Sequence, residues 1–295
     1  MRQPVLEPPV YRPPSEANSL ILQATRGCSH NECAFCVAYQ QVRFRARPLG
    51  QVLEEIDWVG ANMSGVRRAF LADGDAFVLS SSRLLPILER LYEKLPALER
   101  VSIYASPQNI AAKSDAELKR LRRAGLGLLY FGLESGDDDV LRRIRKGATA
   151  RQMIDQCIRA QEAGFDLSVT VILGLAGPKG SRRHAEATAR ALDAICPRWA
   201  SALTLMLAPR KPSYQRVYGE PDWRPLSPWE ALRECRWLIE NMNADGITFR
   251  SNHASNYLAL KGQLSADKKR LLETIDRVLE DPDSPLLRPE WLRAL

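Results

Sequence analysis

The chain has 295 residues, of which 45% are hydrophobic and 26% are charged. This length and composition exclude a disordered or fibrous protein and predict one large or two small globular domains. No run approaches the roughly 18 consecutive apolar residues that a membrane span needs. The charged, proline-rich start MRQPVLEPPVYRPP does not have the apolar stretch of a signal peptide. We therefore expect a cytoplasmic protein with no membrane partner.

The net charge is +7, from 42 basic and 35 acidic side chains. This balance favours phosphates or other anionic substrates, but it is too evenly mixed for a committed nucleic-acid binder. Arginine clusters in LKRLRRAG, VLRRIRKG and GSRRH are typical of the solvated faces of helices, and they are also compatible with an electrostatic footprint. The charge is thus compatible with a nucleic-acid partner but does not indicate one.

Predicted strands alternate with predicted helices along most of the chain. The strands are expected at residues 19–24, 67–72, 100–106, 126–135, 166–177 and 200–209. The helices are expected at residues 49–62, 80–95, 114–125, 137–144, 149–165 and 181–196. This alternation indicates parallel strands joined by right-handed helical crossovers. An open doubly wound sheet and a barrel both fit the pattern, and both place the site at the carboxyl ends of the strands.

The pattern changes after the sixth strand. The proline-rich segment APRKPSYQRVYGEPDWRPLSP is predicted to cross the protein in an extended form. Helices are expected at 228–243 and 265–281, with a short strand or extended piece at 246–252. We predict an N-terminal lead-in at 1–18, a core domain at 19–210, and a C-terminal extension at 211–295 that packs on the core.

The stretch RGCSHNECAFC places Cys28, Cys33 and Cys36 within nine positions. A cytosolic chain is not expected to use a disulfide framework, so this trio predicts a metal site or a redox site. Three other cysteines have no neighbour in sequence and are expected to be small buried apolar residues: Cys157, Cys196 and Cys235.

Three thiolates suit two kinds of metal site. A structural zinc site is closed by four ligands, which His30 or a more distant residue would complete. A cubane iron–sulfur cluster held by three cysteines instead leaves its fourth iron open to an external chelating ligand. An amino acid with a sulfonium group would then lie beside a reducing cluster, and one electron would break a carbon–sulfur bond.

Several features resemble the radical S-adenosylmethionine (SAM) superfamily, and in particular its Elp3/MiaB-like branch. They are Phe35 before the last cysteine, the cysteine loop after the first strand, the six strand–helix units, and the segments FLADGDAF, IYASPQNI, YFGLESGDDDVLRRIRKG and TVILGLAG. The family usually has three residues between its first two cysteines, whereas this chain has the four residues SHNE. Together these elements cover roughly residues 19–207.

The resemblance implies a partial (β/α)6 TIM-type barrel with an α-rich C-terminal extension. It also implies a [4Fe-4S] cluster on the three cysteines and SAM as the second cofactor. The positions that match the family's SAM contacts are Asp73, Gly74, Asp75, Ser106, Glu134, Lys146, Gly174 and Gly177. The acidic turn would receive the SAM amine, the lysine would pair with its carboxylate, and the last two glycines would lie near adenine. The catalytic residues are not identified.

These positions also have ordinary structural interpretations. The acidic segment at 73–75 is compatible with a simple turn, Glu134 with a helix cap, and Lys146 with a solvated helix-end cation. Gly174 and Gly177 are compatible with the end of a strand. The polar segment SNHASNYLALKGQL suggests a lid or substrate wall, or else a surface loop. Its candidate substrate contacts are Asn252, His253, Asn256 and Tyr257.

The leading hypothesis is a radical SAM enzyme that cleaves SAM reductively and passes the 5′-deoxyadenosyl radical to an unidentified substrate. Its expected partners are that substrate and an electron donor such as flavodoxin or ferredoxin. One alternative is a zinc-stabilised α/β binding module, with RNA as a partner that its arginines would suit. Another is a protein of the same fold that uses SAM without a productive substrate, for instance as an iron–sulfur chaperone or sensor.

Overall fold

The computed structural model describes residues 3–39, 41–207, 211–281 and 283–294, without the side chains of 211–213. The strands are β1 (Leu20–Gln23), β2 (Thr25–Arg26), β3 (Arg45–Ala46), β4 (Arg68–Ala72), β5 (Arg100–Ala105), β6 (Leu126–Glu134), β7 (Asp166–Leu173), β8 (Trp199–Thr204), β9 (Thr248–Arg250) and β10 (Lys261–Gln263). The α-helices are α1 (Leu49–Asn62), α2 (Ser81–Lys94), α3 (Pro107–Ala111), α4 (Asp115–Arg123), α5 (Asp138–Arg143), α6 (Ala150–Glu162), α7 (Gly177–Ile195), α8 (Lys211–Tyr218), α9 (Pro228–Asn241) and α10 (Lys268–Glu280). Among these described helices, none has the length and apolar character of a membrane span.

Eight strands form one mostly parallel sheet in the order β1-β4-β5-β6-β7-β8-β9-β10. Among the pairs of this sheet whose register is described, only β9 and β10 are antiparallel. Strands β2 and β3 form a separate short antiparallel pair. In the described residues the sheet runs from β1 to β10 without closing. This confirms the predicted α/β architecture in its open form, a partial barrel.

The chain divides into two compact units. The first comprises Met1–Glu32, Cys36–Phe131 and Gln156–Leu167. In it, β1 pairs with β4, and β4 pairs with β5, in parallel. Their central residues are fully buried, as expected for strands covered on both faces. Because Gln23 lies opposite Ala72 in this register, the segments that follow β1 and β4 begin side by side.

The second unit comprises Cys33–Phe35, Gly132–Asp155 and Ser168–Leu295. In it, β7 pairs with β8 in parallel, and Leu173 lies opposite Thr204 at the carboxyl ends of the two strands. Helix α7 packs against α9. A Ser227–Glu230 capping box starts α9 by pairing the side chain of each residue with the backbone N–H of the other. The carboxyl end of β7 and helix α9 are therefore parts of one packed body.

Helix α8 differs from the sequence prediction, which expected this proline-rich segment to be extended. Its Tyr214 and Tyr218 stack with ring centroids 5.8 Å apart, and Tyr214 also packs on Trp223 at 4.6 Å. Side chains four residues apart are neighbours on a helix but lie about 13 Å apart along an extended chain, so this packing favours helix over extended chain. Strand β7 also ends earlier than predicted, and α7 begins at Gly177 instead of residue 181.

The predicted domain boundary at residue 210 lies outside the described residues, as does the end of the predicted sixth strand at 208–209. The division into a lead-in at 1–18, a core at 19–210 and an extension at 211–295 therefore stays a prediction.

The isolated cysteines confirm the prediction of burial at two positions and contradict it at the third. Cys157 and Cys235 are buried, whereas Cys196 is exposed. Cys196 follows the last turn of α7 in a left-handed conformation with φ of 46°, and its thiol contacts the Asp245 carbonyl at 3.4 Å. The end of the helix carries the side chain out of the core, which a count of apolar residues does not reveal.

Candidate functional site

Residues 27–39, called the cysteine loop below, contain neither helix nor strand and directly follow β2. Its three cysteines, Cys28, Cys33 and Cys36, are each half-buried. Cys33 belongs to the second unit, where the neighbouring Ala34 N–H donates to the Ile144 carbonyl at 2.9 Å. Irregular backbone at a strand end suits side chains that must face a ligand instead of a sheet.

Asp73, the first residue after β4, is fully buried and well supplied with hydrogen bonds. Its carboxylate accepts from the Tyr39 hydroxyl, from the Gly27 N–H at 3.2 Å, and from the Gln23 amide at 3.4 Å. Burial raises the pKa of Asp73, and these hydrogen bonds offset part of that rise. Burial and the nearby Asp73 carboxylate also raise the pKa of Tyr39, so its hydroxyl stays a donor.

Asp75 is also buried, with 2% of its surface exposed. Its carboxylate accepts from the Ser29 hydroxyl and from the Asn109 amide. Ser106, at the end of β5, is the N-cap of α3 and accepts from the Asn109 backbone N–H at 3.3 Å. Asn109, which the sequence analysis did not single out, therefore joins the predicted positions 75 and 106 in the first unit.

Lys113 is a second residue that the sequence analysis missed. It is 4% exposed, and its ammonium donates to the Phe77 carbonyl at 2.6 Å and lies 4.3 Å from the centre of that ring. Burial lowers the pKa of Lys113 to about 8. The side chain thus ties the segment after Asp75 to the start of the loop beyond α3.

Glu134 and Lys146 form an ion pair of 2.9 Å, with side chains that are 10% and 12% exposed. Glu134 ends β6 with φ of 63°, so its side chain departs from the alternation of the strand. The Glu134 carboxylate folds back over Gly132, where a Cβ atom would overlap it. The interpretation of Glu134 as a helix cap is wrong, because Asp137 caps α5. The interpretation of Lys146 as a solvated helix-end cation is also wrong, because its side chain is largely buried and paired with Glu134.

The turn between β7 and α7 contains Gly174 with φ of +90° and Gly177 with φ of +63°. Left-handed backbone of this kind favours glycine, so the conformation of the turn itself accounts for both residues. A Cβ atom at Gly177 would lie 2.7 Å from the Trp223 ring. The indole N–H of Trp223 donates to the carbonyl of Leu175, within the turn, at 3.2 Å. The Gly174 N–H donates to Glu234 Oε1 at 2.7 Å.

Glu234 belongs to a buried polar network in the second unit that the sequence analysis did not predict. His184 Nε2 donates to the Ile172 carbonyl at 3.1 Å, since a carbonyl can only accept, and lies 3.6 Å from Glu234. His184 Nδ1 and the Ser135 hydroxyl form a hydrogen bond of 2.8 Å. The Ser181 hydroxyl donates to Glu234. The network joins the residue after β6 to the end of β7.

The polar segment at 251–264 is mostly internal. Asn256 is 2% exposed, and its amide donates to the Ala202 carbonyl at 2.8 Å and accepts from the Thr204 hydroxyl at 2.9 Å. Tyr257 is buried and donates to Glu290 at 2.7 Å. The structure therefore assigns these two side chains to packing. The other two predicted contacts remain accessible, since Asn252 is exposed and His253 is partly exposed.

Within the described residues, no group of three or more His, Cys, Asp or Glu side chains is placed to hold a metal ion. The ligands of a single ion must converge on one point, as in a closed zinc site. The cysteine ligands of an iron–sulfur cube bind different iron atoms at its corners and do not converge in this way. The donor set of three thiols suits the cube.

The Radical SAM superfamily model matches residues 22–192, more than half of the chain and including all three cysteines. The chain is 28% identical over 171 residues to an uncharacterised methyltransferase of Pyrococcus horikoshii, covering 57% of this chain and 35% of that protein. It is 24% identical over 232 residues to the heme chaperone of Bacillus subtilis, covering 75% of this chain and 59% of that protein. The chain thus spans only part of these relatives' length.

Among solved structures, coproporphyrinogen III oxidase from Escherichia coli, described as a radical SAM enzyme, matches with a TM-score of 0.57. The match has 20% identity and covers 75% of this chain and 51% of that chain, so it shows a shared fold. None of these matches supports the alternative of a zinc-stabilised binding module. The family match and the shared fold agree with the features of the cysteine loop and strand ends, and the chain belongs to the radical SAM superfamily.

Proposed function

We propose that this protein is an enzyme that holds a [4Fe-4S] cluster on Cys28, Cys33 and Cys36 and cleaves SAM reductively to act on a further substrate. The observation that carries the proposal is the family match over residues 22–192, which includes the three cysteines and every position predicted to contact SAM. Three half-buried thiols in an irregular loop are suitable ligands for three irons of a cube.

When bound, the cluster and SAM supply a one-electron cleavage of the sulfonium that yields a 5′-deoxyadenosyl radical. The chain's own residues bind and orient SAM. In this proposal the acidic turn at Asp73–Asp75 receives the SAM amine through carboxylates that also accept hydrogen bonds from the cysteine loop. A buried carboxylate facing an ammonium forms a charge-assisted hydrogen bond, roughly twice as strong as a neutral one.

Other strand ends supply the remaining contacts in this proposal. Lys146 is a candidate partner for the SAM carboxylate, and Glu134 keeps that ammonium oriented through their 2.9 Å ion pair. The backbone at Gly174 and Gly177 lacks a Cβ atom, so a flat ring such as adenine can approach it closely. Ser106 caps α3 and shapes the end of β5. An external reductant, such as flavodoxin or ferredoxin, is proposed as the electron source.

The cofactor claim is tested on protein purified without oxygen. We expect brown protein that absorbs near 400 nm and contains about four irons per chain, as a cubane requires. The Cys33→Ala variant should lose this iron, because one of three ligands is removed. Cys196→Ala is the matched control, since Cys196 is an exposed cysteine outside the loop, and it should keep the iron.

The activity claim is tested by incubating the reconstituted protein with dithionite and SAM and measuring 5′-deoxyadenosine by chromatography. Product above the Cys33→Ala background is expected. A colourless wild-type protein with one zinc per chain would overturn the cofactor claim. Four irons without 5′-deoxyadenosine would leave the cluster in place and remove the enzyme claim, which would favour a chaperone or sensor.

A further inference from the structure

The turn at Asp73–Asp75 contacts both residues that flank Cys28. On one side, the Gly27 N–H donates to Asp73 Oδ2 at 3.2 Å. On the other side, the Ser29 hydroxyl donates to Asp75 Oδ2. Cys28 is therefore bracketed in sequence by two residues that are attached to the same turn in the first unit.

The same turn also contacts the far end of the cysteine loop. Tyr39, three residues after Cys36, donates its hydroxyl to Asp73. The Tyr39 ring lies so close to Gly74 that a Cβ atom there would overlap it. Tyr39 is 6% exposed, so the ring and its hydroxyl are held together inside the protein. Three points of the loop, at positions 27, 29 and 39, thus meet one three-residue turn.

Burial makes these attachments strong. Asp73 and Asp75 are 0% and 2% exposed, so water does not compete for their carboxylates. Hydrogen bonds to an ionised group are shorter and stronger than neutral ones. Asn109 donates to the other oxygen of Asp75 and fixes its orientation. The turn is a rigid acceptor, and the loop supplies the donors.

The hydrogen bond of Ser29 indicates that the turn positions the cysteine loop and does not merely supply a partner for a polar group. Ser29 is exposed, so water would satisfy its hydroxyl equally well without any protein partner. The bond to a buried carboxylate therefore reduces the conformational freedom of the loop and fixes the position of Ser29. Gly27 has φ of +78°, and its backbone lies close to Val42, just beyond the cysteine loop, where a Cβ atom on Gly27 would lie 3.1 Å from the Val42 carbonyl.

We infer that Asp73, Asp75 and Tyr39 are positioning residues that hold the cysteine loop in its shape before any cofactor binds. The family resemblance assigns the acidic turn to the SAM amine; holding both flanks of Cys28 is an additional role. The link to the cluster rests on the proposed function, whereas the order of the loop is a property of the chain itself.

The test uses the full-length, cluster-free protein and hydrogen–deuterium exchange of peptides from the cysteine loop, read by mass spectrometry. Ser29→Ala and Tyr39→Phe each remove one hydroxyl and keep the rest of the side chain. Each should speed exchange in the loop by about tenfold to a hundredfold, the effect of losing one hydrogen bond to a charged acceptor.

Two matched controls remove hydroxyls outside the loop. Ser82→Ala removes an exposed hydroxyl that pairs with Ser80 at 2.9 Å, and Tyr92→Phe removes one that donates to the Gly125 carbonyl at 2.8 Å. Both should leave exchange in the cysteine loop at the wild-type rate. Unchanged loop exchange in Ser29→Ala and Tyr39→Phe would overturn the inference.

Iron retention separates this inference from the proposed function. After reconstitution, Ser29→Ala should lose iron to a chelator several-fold faster than Ser82→Ala, since a looser ligand loop dissociates more readily. Wild-type protein that binds no cluster would contradict the proposed function while the exchange result still decides the inference. Wild-type protein with four irons and variants whose loop exchanges normally would retain the function and reject the positioning role.

Discussion

The backbone N–H of Gly174 donates a 2.7 Å hydrogen bond to the side chain of Glu234, sixty residues later in the chain. Glu234 is fully buried on α9 and also accepts from the Ser181 hydroxyl of α7. One carboxylate therefore fixes the carboxyl end of β7 to two helices of the second unit. This side chain is one of the groups that hold the turn proposed to approach adenine, together with Trp223.

Replacing Glu234 with alanine should destabilise the protein, because it leaves the Gly174 N–H and the Ser181 hydroxyl buried without their acceptor. We expect a loss of about 3 kcal/mol. That loss should lower the Tm by roughly 6–12 °C in a domain of this size. Glu234→Gln keeps an oxygen for Gly174 and should lose less than half as much. Equal losses in the two variants, measured by calorimetry, would show that this hydrogen bond contributes little.

The same carboxyl should make stability depend on pH. Burial raises the pKa of Glu234 in the folded state, although His184, Ser181 and Gly174 lower it in part. The folded state therefore binds more protons than the unfolded state between the unfolded pKa and the raised one. The free energy of unfolding should fall as pH rises through that window, upward from about 4.5.

Urea denaturation at a series of pH values measures this slope. Glu234→Gln carries no ionisable group at this position, so it should lack the fall in stability that wild type shows. Glu240→Gln, at an exposed position of the same helix, is the matched control and should retain it. A Glu234→Gln profile parallel to that of wild type would contradict the assigned cause.

The fold was largely predictable because its strands and helices follow local rules. Helix α1 was predicted within its observed bounds, since apolar residues recur at helical spacing from Leu49 to Asn62. Helix α4 was predicted from its serine cap, and Ser114 forms a capping box with Glu117. Helix α8 was missed because its cause is tertiary: the packing of Tyr214 against Trp223 is not visible in local propensity.

The site was predictable only in part, and for a similar reason. The cysteines and the acidic turn were identified because each is a short local motif. Their partners come from distant segments: Ser29 and Asp75 are 46 residues apart, and Asp75 and Asn109 are 34 apart. No spacing rule connects such pairs. Glu234 resembled any other acidic residue of an amphipathic helix until the fold placed it beside Gly174.

Replacing Gly177 with alanine should disturb the β7–α7 turn for two reasons. The left-handed backbone costs a non-glycine residue about 1–2 kcal/mol. The added Cβ atom would also lie 2.7 Å from the Trp223 ring, and overlap in a packed site adds about 1–3 kcal/mol. SAM binding, followed by equilibrium dialysis, should weaken along with stability.

Gly246→Ala is the control that isolates the backbone contribution. Gly246 also has a left-handed φ, of +84°, but a Cβ atom there would meet nothing within 4 Å. The Gly246→Ala variant should lose only the part of the free energy of unfolding that the strained backbone costs, and it should bind SAM like wild type. If Gly246→Ala proves as unstable as Gly177→Ala, the contact with Trp223 is not responsible.

Removing the charge of Lys146 should weaken SAM binding more than it weakens folding. Lys146→Met keeps most of the apolar stem but leaves the largely buried Glu134 carboxylate without its ammonium partner. If Lys146 also pairs with the SAM carboxylate, as proposed, the Kd for SAM should rise by about tenfold, equivalent to one charge-assisted hydrogen bond. Lys179→Met is the matched control, because its ion pair with Asp222 is 2.7 Å long but has side chains 72% and 75% exposed. Exposed pairs contribute little, so the control should bind SAM normally.

A Lys146→Met variant with wild-type affinity for SAM and reduced stability would restrict this lysine to a structural role.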